Sequence, residues 1–136
     1  MKVFLSYAHT DKTLAKKVAD GLKRAGFDVW ENFNEIIPGE NWADKTAQAL
    51  SESEAMVVLL TPDSLNSPYV MSEFNYALGN KTYKGRLIPV VIGSPDSLPE
   101  EKLPWIIKNL QTIRLPKRGK QDEGIKRIAE TLRNAA

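Results

Sequence analysis

Cysteine is absent from the 136 residues. That excludes disulfides, iron–sulfur clusters, thiolate metal sites and cysteine nucleophiles, and it fits a reducing compartment. Histidine occurs once, as His9, with no second imidazole to build a metal site. No apolar run approaches bilayer length, and Met1-Lys2 leads straight into a strand-like segment rather than a secretory leader. The expected location is therefore the cytoplasm, away from membrane. Charge of one sign is lacking too: 19 basic and 17 acidic residues, interspersed, leave a net +2, too weak a field to argue for nucleic acid or a membrane surface. Neither G-x-G-x-x-G nor a Gly-Lys-Ser/Thr phosphate cradle occurs, which argues against a Rossmann dehydrogenase and a P-loop nucleotidase.

What is present is an alternation of short β-rich runs with helical periodicity. Strands are expected at Lys2 to Ser6, Phe27 to Trp30, Ala55 to Leu60, Leu87 to Ile92 and Gln111 to Leu115. The third is apolar throughout, as a strand covered on both faces should be. A first helix runs from about Thr10 to Ala25 with Gly26 as terminator. A second follows Pro38-Gly39 and uses Trp42, Ala43, Thr46, Ala47 and Leu50. The stretch SPYVMSEFNYAL starts a third helix, with Ser67 as cap and Pro68 at the first helical position, and it stops at Gly79. Proline at 95, 99 and 104 limits the fourth connection to a short helix around Trp105 to Lys108. A last helix begins near Asp122, read as its cap, and lays Ile125, Ile128, Ala129 and Leu132 inward.

This pattern predicts one domain over residues 1–136, an α/β flavodoxin-like doubly wound sheet of five parallel strands in the order 2-1-3-4-5, with helices on both faces. Ligands of such sheets bind beyond the carboxyl ends of the strands where the order reverses, here between the first and third. Those ends are Ser6-Tyr7 and Thr61-Pro62, and the loop after the third strand delivers the helix bearing Glu73. A phosphoryl-accepting response regulator shares this order but expects acidic residues where Ser6-Tyr7 stands.

At this point the sequence resembles a Toll/interleukin receptor (TIR) domain, and the bacterial branch more than the animal adaptors. VFLSYAHTDK matches the first family box and VWENFNEIIPGENW the next strand and its loop. AMVVLLTPDSLNSPYVMSEFNYAL matches the third strand with its helix, and LIPVVI the fourth. The resemblance implies an enzyme, an NAD glycohydrolase or cyclase that breaks the nicotinamide–ribose bond with a glutamate on the helix after the third strand. By motif that residue is Glu73. The family commonly places Trp-Cys four and three positions before it, where this chain has Tyr69-Val70. NAD is then a substrate and no cofactor is expected.

One carboxylate suffices for this chemistry, because the nicotinamide of NAD is cationic, leaves neutral, and needs no general acid. The acid has only to stabilise positive charge spreading over the ribose. Ring contacts to the nicotinamide are expected from Tyr7, Phe33 and Tyr69, with Trp30 and Trp42 as further aromatics that burial statistics assign to the core. Ser6 lines the same cleft or satisfies local backbone groups, and the family match sets the loop carrying His9 beside the ligand. Asp11 and Lys12 read as helix-start residues. The segment from Glu31 to Asn41 corresponds to a loop through which TIR domains self-associate, with solvated polarity as the default for Glu31, Asn32, Asn34 and Glu35. Arg114, Lys117, Arg118 and Lys120 form a basic run assigned to solvent. The competing functional reading is a non-enzymatic TIR–TIR assembly module.

Overall fold

The computed structural model describes residues 1–31, 42–93, 98, 106–107, 110 and 112–135. Five strands, β1 Lys2–Ser6, β2 Asp28–Glu31, β3 Ala55–Leu60, β4 Leu87–Ile92 and β5 Ile113–Leu115, form one sheet in the order β2-β1-β3-β4-β5. Every pairing is parallel, with Ser6 opposite Val58 and Leu5 opposite Glu31. The expected topology holds, including the reversal of strand order between β1 and β3. All six residues of β3 are buried, which is what an uninterrupted AMVVLL run requires of the central strand.

The helices are α1 Lys12–Arg24, α2 Trp42–Glu52, α3 Pro62–Leu65, α4 Pro68–Leu78 and α5 Asp122–Asn134. On one face of the sheet, α1 and α5 cover Val3, Leu5, Val57, Leu59, Val90 and Leu115. On the other, Phe4, Trp30 and Met56 meet Ala49 and Leu50 of α2 and Ala77 of α4. Farther along that face, Val58, Leu60 and Val91 pack with Val70 and Phe74. Trp30 stacks on Phe4 at 4.9 Å between ring centroids, so it is core, as its strand position suggests.

Two glycines let α5 approach its neighbours. A Cβ on Gly124 would stand 2.1 Å from Leu115 Cδ2, and one on Gly21 of α1 would stand 2.5 Å from Ile125 Cγ2. Gly26, at φ 98°, follows the end of α1 in the left-handed conformation that the terminator reading requires.

Several local expectations are corrected. The first helix opens with a 3-10 turn at His9–Asp11 before α1 begins. Asp122 is the first residue of α5 rather than its cap; Gln121 occupies the cap position and makes no side-chain cap bond. The stretch after β3, read as a loop, contains α3, capped by Thr61 and Ser64 hydrogen-bonding to each other's backbone N–H. β2 starts one residue later than expected and runs on through Glu31. The expected helix around Trp105 to Lys108 falls largely outside the described residues.

Candidate functional site

α4 places Glu73 because its start is well specified. Ser67 Oγ accepts from Val70 N at 3.4 Å and Pro68 takes the first helical position. The helix therefore starts in fixed register, and Val70, Phe74 and Ala77 face the sheet. Glu73 shares this buried face and is only 4% exposed. The default expectation for a glutamate on an amphipathic helix is solvation; here it fails, because the neighbouring strand offers a polar group. Ser6 Oγ, at the last position of β1 and 0% exposed, donates to Glu73 Oε1 at 2.7 Å. A buried acid thus stands at the carboxyl end of β1, beside the point where the strand order reverses.

The alternation of β1 decides the next residue. Val3, Leu5 and Tyr7 belong to the core under α1 and α5, so Tyr7, 3% exposed, lies on the side of the strand opposite Ser6. Tyr69 sits one turn before Glu73 on α4 and is 64% exposed. His9 is exposed in the 3-10 turn after β1. Ser6 and Glu73 are in direct contact across β1 and α4; Tyr69 lies one turn before Glu73 on α4. Phe33 lies outside the described residues, as does the side chain of Trp42, whose backbone opens α2.

Glu31 differs from its expectation as well. It is 3% exposed, and Lys23 Nζ donates to its Oε1 at 3.0 Å. An α1 lysine reaches the strand end and pairs with it there. Residues 32–41 of the expected self-association segment lie outside the described residues.

A feature the sequence reading missed ties the loops after β1 and β3 together. Thr10 Oγ1 donates to Asp63 Oδ2 at 2.8 Å, and Thr61 Oγ1 donates to Asp11 Oδ2 at 2.6 Å. Each loop gives one hydroxyl and receives with one carboxylate. Asp11 is therefore more than a helix-start residue. Burial pushes its carboxyl above the ordinary 3.8, opposed by the Thr61 bond, assisted by the neighbouring Asp63 and opposed again by Lys117. The signal was present as a threonine and an aspartate in each loop, but only the strand order brings them together.

Beyond the same strand ends, Lys17 of α1, the turn at 117–119 and the end of β4 surround a cleft of about 920 Å³ on the α1 and α5 side. Among the described residues, no group of three or more His, Cys, Asp or Glu side chains is placed to hold a metal ion. No helix among them is long and apolar enough to cross a membrane.

Sheet order, crevice and buried acid define the class: a flavodoxin-like α/β domain with its polar centre at the switch point. The family follows from the TIR domain model, which matches residues 3–129; the chain belongs to the TIR domain family. A curated relative, a stimulator of interferon genes protein from Magallana gigas, is 28% identical over 101 residues, covering 71% of this chain and 24% of that protein. The chain thus spans about a quarter of that relative's length. Among solved structures, a metazoan TIR-STING receptor from C. gigas matches with TM-score 0.77 and 22% identity over 96% of this chain and 38% of that one. The TIR domains of the activated Roq1 resistosome match with TM-score 0.75 and 18% identity over 95% and 97% of the two chains. A prokaryotic SEFIR domain matches with TM-score 0.61 and 16% identity over 98% and 90%. At these identities the structural likeness establishes the fold.

Proposed function

We propose that this domain cleaves NAD between nicotinamide and ribose, releasing nicotinamide and ADP-ribose or a cyclised form of it, in cytoplasmic immune signalling or virulence. The observation that carries this reading is the Ser6–Glu73 contact of 2.7 Å, which fixes a buried carboxylate at the switch point of the sheet. Membership of the TIR family supports it, because many of its members are NADases.

In the reaction, the bond from ribose C1′ to the pyridinium nitrogen breaks and its electron pair goes to the nicotinamide, which departs neutral. Positive charge develops on the ribose, and the Glu73 carboxylate stabilises it while accepting from a ribose hydroxyl. Water then adds to C1′ and loses a proton, or a ring nitrogen of the adenine adds and gives the cyclised product. Ser6 holds one carboxylate oxygen still, so that little reorganisation is needed as charge builds. Tyr69 offers an exposed ring on the same flank for the departing nicotinamide, and His9, Phe33 and Trp42 are the remaining substrate contacts. The ring contact expected of Tyr7 is not among them, because that side chain is buried in the core on the opposite side of β1. Clustering of copies through the segment from Glu31 to Asn41 accompanies the activity. The strand end at Glu31, held by Lys23, gives that segment a fixed root.

The test is nicotinamide release from NAD by the concentrated or artificially clustered domain. Glu73→Gln, which keeps the shape and an acceptor for Ser6, is expected to lower the rate by about 10²–10³, the scale of losing one preorganised electrostatic group. Equal rates in parent and variant would remove Glu73 from the mechanism. No turnover in either, with clustering intact, would leave the assembly module as the function.

A further inference from the structure

The basic run after β5 is organised in a way that solvent exposure alone does not require. Gln121 is 5% exposed and fully engaged. Its Nε2 donates to the carbonyls of Pro116 at 2.8 Å and Lys117 at 3.4 Å, while its Oε1 accepts from Lys17 Nζ at 3.2 Å. One buried amide therefore fixes the backbone of the basic turn and draws a lysine from a distant helix toward it. Burying such a group is costly unless each polar atom is satisfied, and the groups that satisfy it are those that gather positive charge. Gly119, at φ 88°, completes the turn in a conformation a side chain would strain.

Lys17, Lys117 and Arg118 all line the cleft of about 920 Å³ beyond the ends of β3 and β4. Among the described residues, none of these cations takes part in an ion pair; the two ion pairs found there are Lys2–Glu52 and Lys23–Glu31. The acids on the opposite wall, Asp11 and Asp63, accept from Thr61 and Thr10, and Asp11 also feels the charge of Lys117 without forming an ion pair with it, so an anion would sit against the basic wall, away from them. Leu14, Pro62 and Ile92 supply apolar lining. The volume falls within the range of roughly 300–1,000 Å³ that holds small organic ligands. Cations arriving from two separate elements suit an anion whose charge is spread over adjacent groups, and an apolar wall suits a flat ring attached to it.

We propose that this cleft binds the diphosphate of a nucleotide-sized ligand, with Lys17, Lys117 and Arg118 on the phosphate oxygens, as a site separate from Glu73. The two lie on opposite faces of the sheet: Glu73 on the side of α4, the cleft on the side of α1 and α5. The inference does not depend on NAD cleavage.

The experiment is titration of the intact chain with inorganic pyrophosphate and with ADP, followed by amide proton–nitrogen correlation spectra. Saturable shifts are expected at Gly93, Lys17 and Lys117 to Gln121, and they persist in Glu73→Gln. Lys117→Glu and Arg118→Glu should each weaken binding at least about tenfold, and added salt should weaken it further. Lys120→Glu makes the same charge change outside the cleft lining and should leave affinity within about twofold, where mere net charge would make it equal to Lys117→Glu. Gln121→Leu, which leaves every cation in place, should weaken binding by loosening the turn. Absence of saturable shifts, shifts confined to Ser6 and α4, or equal losses in Lys120→Glu and Lys117→Glu would overturn the proposal. A parallel arm uses phosphatidylcholine vesicles doped with a phosphorylated phosphatidylinositol. Vesicle binding that pyrophosphate and ADP do not displace would assign the phosphate to a lipid headgroup and overturn the free-nucleotide reading.

Discussion

Removing the Ser6 hydroxyl tests the central contact of the domain. Ser6→Ala deletes a donor 2.7 Å from Glu73 Oε1 while both residues stay buried, at 0% and 4% exposure. A hydrogen bond to a charged partner contributes about 1.5–3 kcal/mol net, and leaving a buried acceptor without it adds a desolvation cost. The expected loss of stability is therefore about 2–3 kcal/mol. For a domain of this size each kcal/mol moves the midpoint by about 4 °C, so a fall of roughly 8–12 °C in Tm is expected. A double-mutant cycle separates this bond from the packing of either side chain: Ser6→Ala, Glu73→Ala and the pair are compared by urea unfolding with equal m-values. The coupling energy should reach about 1.5 kcal/mol or more. A coupling below about 0.5 kcal/mol, the ordinary scatter of independent sites, would refute the view that β1 holds the acid. On the proposed chemistry Ser6→Ala should lower the rate of nicotinamide release more than it changes KM, because the orientation it supplies matters most in the transition state.

Three further outcomes follow from the packing and the titrating groups. Asp11 has its carboxyl raised by burial, so the folded state holds that proton more tightly and stability falls as pH rises through the ordinary 3.8 toward the folded value. Asp11→Asn, which still accepts from Thr61, should therefore gain on the parent as pH is raised through that window; a difference that stays flat in denaturant midpoints would contradict the burial argument. Tyr83 is 1% exposed, donates to the Leu50 carbonyl, and has its phenol pushed up to about 12 by burial and by Tyr76. Stability should decline as pH rises from 10.0 toward about 12, and Tyr83→Phe should lack that decline while costing about 1 kcal/mol at neutral pH. Gly124→Ala should destabilise the fold by about 1–3 kcal/mol despite better helix propensity, since Leu115 is fully buried and cannot yield; an unchanged Tm would show that α5 can shift.

The sheet was legible because its strands are covered on both faces and so read as apolar runs bounded by turns. β1, β3 and β4 fall where the sequence sets them. Capping was less legible: α3 is held by Thr61 and Ser64, short hydroxyls whose pairing looks like loop composition, and Gln121 displaces Asp122 from the cap. Glu73 was singled out by topology and family resemblance, but its burial depends on a hydroxyl 67 positions away in sequence. The same holds for Glu31, whose partner comes from α1, and for the basic run, whose order depends on a buried glutamine. Alternation along β1 does separate Ser6 from Tyr7 once the strand is placed, and it puts Tyr7 in the core.

The reciprocal threonine–aspartate bonds join the segments after β1 and β3 into one mechanical unit. Opening either segment requires both bonds to yield, so amides near residues 10–13 and 61–65 should exchange with solvent in a shared event rather than fray separately. Fluctuations reaching Ser6 from the chain beyond β1 are then damped by α3. Insertions in one segment would be felt in the other, which makes this pair of turns a poor place to lengthen the protein.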